Sequence, residues 1–213
     1  SKRQNEMKTI VIGLLLAGLM ANKPNTLYAQ SKQKNMKLSS AQPAPAFTTT
    51  DVDGKKFNLA DYKGKKILLS FYRNVGCPVC NFRFHELQME AESFQKKGLV
   101  VVAVYESTAE NMKQYLEGES FYAVMIPNPD EQLYQLYALD KSMGKMMKGM
   151  FNGAMGKMKK GKSMFSKKIK QDGNASRIGA DFLIDENGRI KQAYYGKHLG
   201  DHLPLADINK FIN

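Results

Sequence analysis

The chain has 213 residues, a formal net charge of +12, two cysteines and no tryptophan. The charge is local: Lys141 to Lys170 holds ten lysines and no acid, Ser1 to Ser40 holds seven basic residues against one acid, and the remainder is left at −4. The basicity therefore gives no sign of a polyanion-binding surface over the whole domain, and no nucleic-acid partner is expected.

In chain order, Lys2, Arg3 and Lys8 precede the apolar run Ile10 to Ala21, and Leu27-Tyr28-Ala29 supplies a cleavage-like site. The run is shorter than the roughly 20 residues that cross a bilayer, so residues 1–29 are predicted to be a signal peptide. This implies an exported, periplasmic protein in an oxidising compartment. Residues 30–42 are polar and lysine-rich and read as a flexible tether. Residues 43–213 form one domain carrying an insertion at 141–172. Without leader and insertion about 150 residues remain, enough to hold a core with no structural disulfide.

The domain opens with a hairpin, Phe47 to Thr50 and Lys56 to Leu59 about the turn dipeptide Asp53-Gly54. Ile67 to Tyr72 is apolar without alternation, as a strand buried on both faces is. Phe82, Leu87, Met89, Ala91 and Phe94 predict a single helix closed at Gly98. Leu99 to Tyr105 is a second buried strand, and Ser107 with Glu110 forms a capping box for a helix reaching about Glu117. Ala123 to Ile126 is a short strand and Asp130 to Leu139 a helix. Asp181 to Asp185 and Arg189 to Tyr195 make a hairpin about Glu186-Asn187-Gly188, and Pro204 starts a last helix. Strands alternating with helices predict an α/β fold with a central mixed β-sheet flanked by helices.

Cys77-Pro78-Val79-Cys80 holds both cysteines of the chain, in the turn from a buried strand into a helix. Unpaired N–H groups and the helix dipole stabilise an anion there, which lowers a thiol pKa from about 8.5 into the range of roughly 3.5 to 7.5. The pair therefore reads as a dithiol that can close to a disulfide. The alternatives are a zinc site, which lacks a second cysteine pair, and an inert buried pair.

Ala44-Pro45-Ala46-Phe47, Asp53-Gly54-Lys55, Leu59 to Lys65, Phe71-Tyr72-Arg73, the cysteine motif, Asp181 to Gly188 and Ala193-Tyr194-Tyr195-Gly196 together resemble the peroxiredoxin-like branch (alkyl hydroperoxide reductase and thiol-specific antioxidant) of the thioredoxin-fold group. The resemblance implies a thioredoxin-like fold and a thiol-dependent oxidoreductase. It implies a hydroperoxide or disulfide substrate, an external thiol reductant and no cofactor. The peroxiredoxin pattern puts Arg73 at its proline and Cys80 at its peroxidatic cysteine, whereas thioredoxin-like reductases attack with the first cysteine, Cys77. Solvent access favours Cys77, because the first cysteine of such a motif projects from its loop.

The same resemblance nominates further residues. Glu106, at the end of its strand, matches an acid that moves protons in thioredoxin-like reductases, or is a solvated strand end. Arg177 is offered as a thiolate or peroxide ligand, or as a loop residue. Gly179 stands where thioredoxin-fold proteins carry a cis-proline and could wall a substrate groove, and Pro78, between the cysteines, is a further supporting candidate. In the insertion, Met143, Met146, Met147, Met150, Met155 and Met158 recur at helical steps between lysines. That pattern reads as packing over the domain or on a partner, as a membrane-surface contact, or as a thioether copper site.

Overall fold

The computed structural model describes residues 36–116, 120–164 and 170–213, so the predicted signal peptide and the first part of the tether lie outside the described residues. The opening hairpin pairs β1 (Thr48–Thr50) antiparallel with β2 (Lys56–Asn58). Gly54 takes φ +82 in its turn, a region that residues with a Cβ rarely enter.

The main sheet is built on β3 (Ile67–Tyr72), whose six residues are all buried. On one side β3 runs parallel to β4 (Val100–Tyr105), and β4 parallel to β5 (Val124–Pro127). On the other it pairs antiparallel with β6 (Ala180–Ile184), which pairs antiparallel with β7 (Ile190–Tyr195). The order β5-β4-β3-β6-β7 is the expected mixed sheet. Helices α1 (Pro78–Met89), α2 (Ala91–Lys96), α3 (Ala109–Leu116), α4 (Gln132–Leu136), α5 (Met143–Gly149), α6 (Met155–Met164) and α7 (Leu205–Ile212) complete the fold.

Because strand side chains alternate, β3 feeds two cores. Leu68 and Tyr72 join Ala103, Tyr105 and Leu183 beneath Cys80, Phe84 and Leu87 of α1 and Ile208 and Ile212 of α7. Leu69 and Phe71 join Val104, Phe182, Tyr134 and Tyr137 on the opposite face, with Phe47 and Phe57 of the hairpin. The dithiol thus sits in the first core, at the C-terminal end of β3.

Three local expectations change. The helix after the cysteines is divided at Glu90 (φ −93, ψ 0) into α1 and α2. The cap of α3 is Thr108, whose Oγ1 accepts from Asn111 N–H at 3.2 Å, while Ser107 is drawn away to Val75 and Asp172. Finally, the tether read at 30–42 is docked from Lys37 onward. Leu38 N–H donates to Tyr195 Oη at 2.8 Å, and Ala41 and Gln42 exchange backbone hydrogen bonds with Ile190. The edge of β7 carries unpaired backbone groups, and this segment satisfies them.

Candidate active site

The residue before a proline is pushed towards extended backbone, and Cys77 obeys at φ −86, ψ 109. That geometry makes Cys77 the N-cap of α1 with Pro78 at the first helical position. Its Sγ accepts the Cys80 backbone N–H at 3.4 Å. The thiol of Cys80 also donates to Cys77, and this bond chiefly pulls the Cys77 pKa down to about 6 against the opposing effect of burial. Arg73 and the N–H groups of Cys80 and Val79 add to it. Burial and the neighbouring Cys77 push the Cys80 thiol well up. The two sulfurs are thus divided into a stabilised thiolate and a protonated donor. Both cysteines are free.

Exposure does not distinguish them as the sequence suggested. Cys77 is 1% exposed and Cys80 5%, so the first cysteine does not project from its loop. The insertion lies over α1. Gly161 of α6 approaches so closely that an added Cβ would overlap the Pro78 carbonyl oxygen. Lys157 Nζ donates to the Gly200 carbonyl at 2.7 Å, and Lys160 lies 5.7 Å over the Phe82 ring. Gly200 itself packs on Val79. Neither of two surface clefts, one beside Lys113 and Tyr122 and one between Tyr62 and Asn187, is lined by a cysteine. Gly161→Ala is expected to lift α6 from α1 at a stability cost of about 1–3 kcal/mol. Alkylation of the reduced thiols should then be faster, and an unchanged rate would show that α6 does not control access.

Arg73, which the sequence reading placed only at the proline of the peroxiredoxin pattern, acts on both sulfurs. It follows the last residue of β3, and its charge favours the ionised form of both cysteines. Its guanidinium is held by the Ala175 carbonyl at 3.3 Å and Gln171 Oε1 at 3.0 Å. Its place at the C-terminal end of a central strand, where α/β folds bind ligands, was the available signal.

Glu106, Arg177 and Gly179 are each engaged by other groups. Arg177 is not a free cation beside a thiolate: its Nε donates to Glu106 and its Nη2 to Glu131 Oε2 at 3.0 Å. Its Nη1 reaches the Leu139 carbonyl at 3.1 Å, and the group stacks 4.6 Å from the Tyr134 ring. Glu106 is buried, as one reading held, but Arg177 and the Asn174 N–H occupy its carboxylate. Burial pushes its pKa up, with the Asn174 N–H and Arg177 opposing. The pair fastens the two ends of the insertion, since Ser142 N–H also donates to the Ser176 carbonyl and Ile178 N–H to that of Asp140.

At Gly179 the space that a side chain would take is already filled. A Cβ there would meet His202 Cε1 at 2.7 Å and the Phe71 carbonyl at 2.9 Å. His202 is held by Asp181, whose carboxylate accepts from Leu203 N–H at 2.8 Å, contacts His202 Nδ1 at 3.0 Å and also accepts from Ser70. Burial works to raise the Asp181 pKa, but His202, Arg83 and Ser70 outweigh it and hold the group below the usual carboxylate range. Arg83 of α1 donates to the Leu203 carbonyl at 2.6 Å. A buried polar network therefore fixes the 199–203 loop beneath the dithiol helix.

Residues 40–193 match the AhpC/TSA family. The chain is similar to Peroxiredoxin Bcp of Escherichia coli (strain K12), 25% identical over 163 residues that cover 76% of this chain and 97% of that protein. It is also similar to Thiol-disulfide oxidoreductase ResA of Bacillus cereus (strain ATCC 10987 / NRS 248), 29% identical over 103 residues, or 48% and 57% of the two chains. Among solved structures, Peroxidoxin BcpB from Mycobacterium tuberculosis superposes with a TM-score of 0.58 at 11% identity, covering 82% of this chain and 94% of that one. The sheet order, the dithiol at the mouth of α1 and the match along most of the chain lead to one assignment: the protein belongs to the AhpC/TSA family and has the thioredoxin-like fold of the peroxiredoxins.

Proposed function

We propose that Cys77 is the attacking thiolate and Cys80 the resolving thiol of a cycle that reduces hydroperoxides. The chain is a thiol-dependent oxidoreductase of the peroxiredoxin-like family, and the opposed pKa shifts of its two thiols carry the assignment of roles. The Cys77 thiolate attacks one peroxide oxygen, the O–O bond breaks, and the departing alkoxide takes a proton to leave as an alcohol. Cys77 is then a sulfenic acid. Cys80 attacks its sulfur, the S–O bond breaks, and hydroxide leaves with the Cys80 proton as water. Two thiols and a hydroperoxide have become a disulfide, an alcohol and water, and an external dithiol restores the reduced pair by exchange.

The same pair suits attack on a protein disulfide, and the likeness to the ResA protein supports that second reading. The cover of α6 over α1 favours a small hydroperoxide, which needs less surface exposed than a folded protein does. Export belongs to the proposal on the composition of residues 1–29, and cell fractionation tests it.

The pH dependence tests the site. A depressed folded pKa means that thiolate is present above about pH 6 and is lost as pH falls through that value. In stopped-flow oxidation by hydroperoxide, the rate is expected to rise with pH to a midpoint near 6 and then level. Arg73→Met should shift the midpoint upward. A midpoint near the ordinary thiol value of about 8.5 contradicts the assignment. The same shift stabilises the reduced fold fully above the unfolded thiol pKa and is lost as pH falls through the folded one.

A further inference from the structure

We propose that the outer face of α5, the kinked segment after it and the start of α6 is a peripheral docking surface for an anionic lipid bilayer. The insertion has two sets of apolar side chains. Met146, Ala154 and Met158 pack on the dithiol-side core, with Gly149 against Leu199 and Gly161 against Pro78. Met143, Met147, Met150, Phe151 and Met155 instead remain exposed, Met147 at 61% and Phe151 at 86%. Met143, Met147 and Phe151 follow four-residue steps, so they share one strip of the helix surface. The strip ends at a kink, where Asn152 and Gly153 leave helical geometry (φ −105 and +87) and place the Phe151 ring outward.

The charges beside this strip have one sign. Lys141 and Lys145 are each paired at 2.5 Å, with Glu131 and Asp140. Lys157 and Lys160 are turned towards the domain on Gly200 and Phe82. Lys148, Lys159 and Lys162 are exposed, and no carboxylate pairs with them among the described residues. Between Asp140 and Asp172 the sequence contains no acid. A protein partner of mixed charge would set some of these lysines against like charge or leave them unpaired. A bilayer with anionic headgroups is negative over its whole surface, and an apolar strip flanked by lysines is what an interfacial helix presents to it. Among the described residues no helix is long and apolar enough to cross a membrane, so the contact is peripheral.

Co-sedimentation of the full chain with vesicles of phosphatidylcholine and phosphatidylglycerol, against phosphatidylcholine alone, tests the proposal. The expected result is binding to the anionic vesicles that weakens at high salt. Met147→Asp with Phe151→Asp should lower binding at least about tenfold. Lys148→Glu, Lys159→Glu and Lys162→Glu together should lower it at least about 100-fold, at about fivefold for each lysine charge lost. Both variants should keep the circular dichroism spectrum and hydroperoxide reduction of the parent, because these side chains are exposed and lie outside the dithiol site. Equal binding by parent and variants, as an attachment through residues 1–29 would give, overturns the proposal. So does equal binding to both vesicle types, or no vesicle binding with a dimer in sedimentation velocity that the aspartate variant dissolves.

Discussion

Cys77→Ser is expected to lower the rate of hydroperoxide reduction by at least about a thousandfold, because a neutral hydroxyl replaces the one stabilised thiolate nucleophile. Cys80→Ser is expected to behave differently. The serine hydroxyl can still donate to Cys77, and the backbone N–H groups that stabilise the thiolate are unchanged. The first oxidation should persist within about tenfold of the parent rate. The cycle should then stop at a sulfenic acid with no resolving partner, trapped by a cyclic 1,3-diketone and seen as a mass increase on the Cys77 peptide. The spacing of the peroxiredoxin pattern puts the attacking sulfur at Cys80 instead. Fast oxidation that survives Cys77→Ser and disappears in Cys80→Ser would establish that arrangement and refute the one argued from electrostatics.

Arg177→Met should lower stability by about 3–5 kcal/mol, the cost of leaving a buried carboxylate without its partner. Arg177 and Glu106 side chains are 2% and 0% exposed, and the guanidinium also serves Glu131 and the Leu139 and Asp140 carbonyls. The sign with pH follows from Glu106. Burial raises its folded pKa above the ordinary value of 4.5, and removing Arg177 takes away a charge that opposed the rise. A raised folded pKa gives stability that is full below the unfolded value and is lost as pH rises through the folded one. The deficit of Arg177→Met should therefore be largest near neutral pH and shrink as pH falls towards 4.5. Urea denaturation at two pH values measures both, and a deficit independent of pH would mean that Glu106 is not the group left unpaired.

The same pair illustrates how far the sequence could be read. Glu106 lies one residue beyond β4 and Arg177 three residues before β6, and only the strand order places those two positions near one another. Taken singly, each resembled a site residue. Brought together they neutralise one another and fasten the base of the insertion. Gly179 shows the same limit, since the His202 ring that fills the space on its Cβ side comes from another segment of the chain.

Local pattern determined most strands and helices, though not their every boundary and cap, together with the sheet class and the position of the dithiol. Unbroken apolar runs such as Ile67 to Tyr72 must be buried on both faces, and a proline after Cys77 fixes the cap geometry within four residues. What neighbours in sequence cannot specify was decided by tertiary structure. α6 closes over α1 because Gly161 admits the Pro78 carbonyl, and the first cysteine is buried and not projecting. Which methionines of the insertion face the core and which face solvent was likewise settled by the groove between α1 and the 199–203 loop. Burial and charge pairing depend on segments distant in the chain, and a helical repeat is the same whichever side it turns inward.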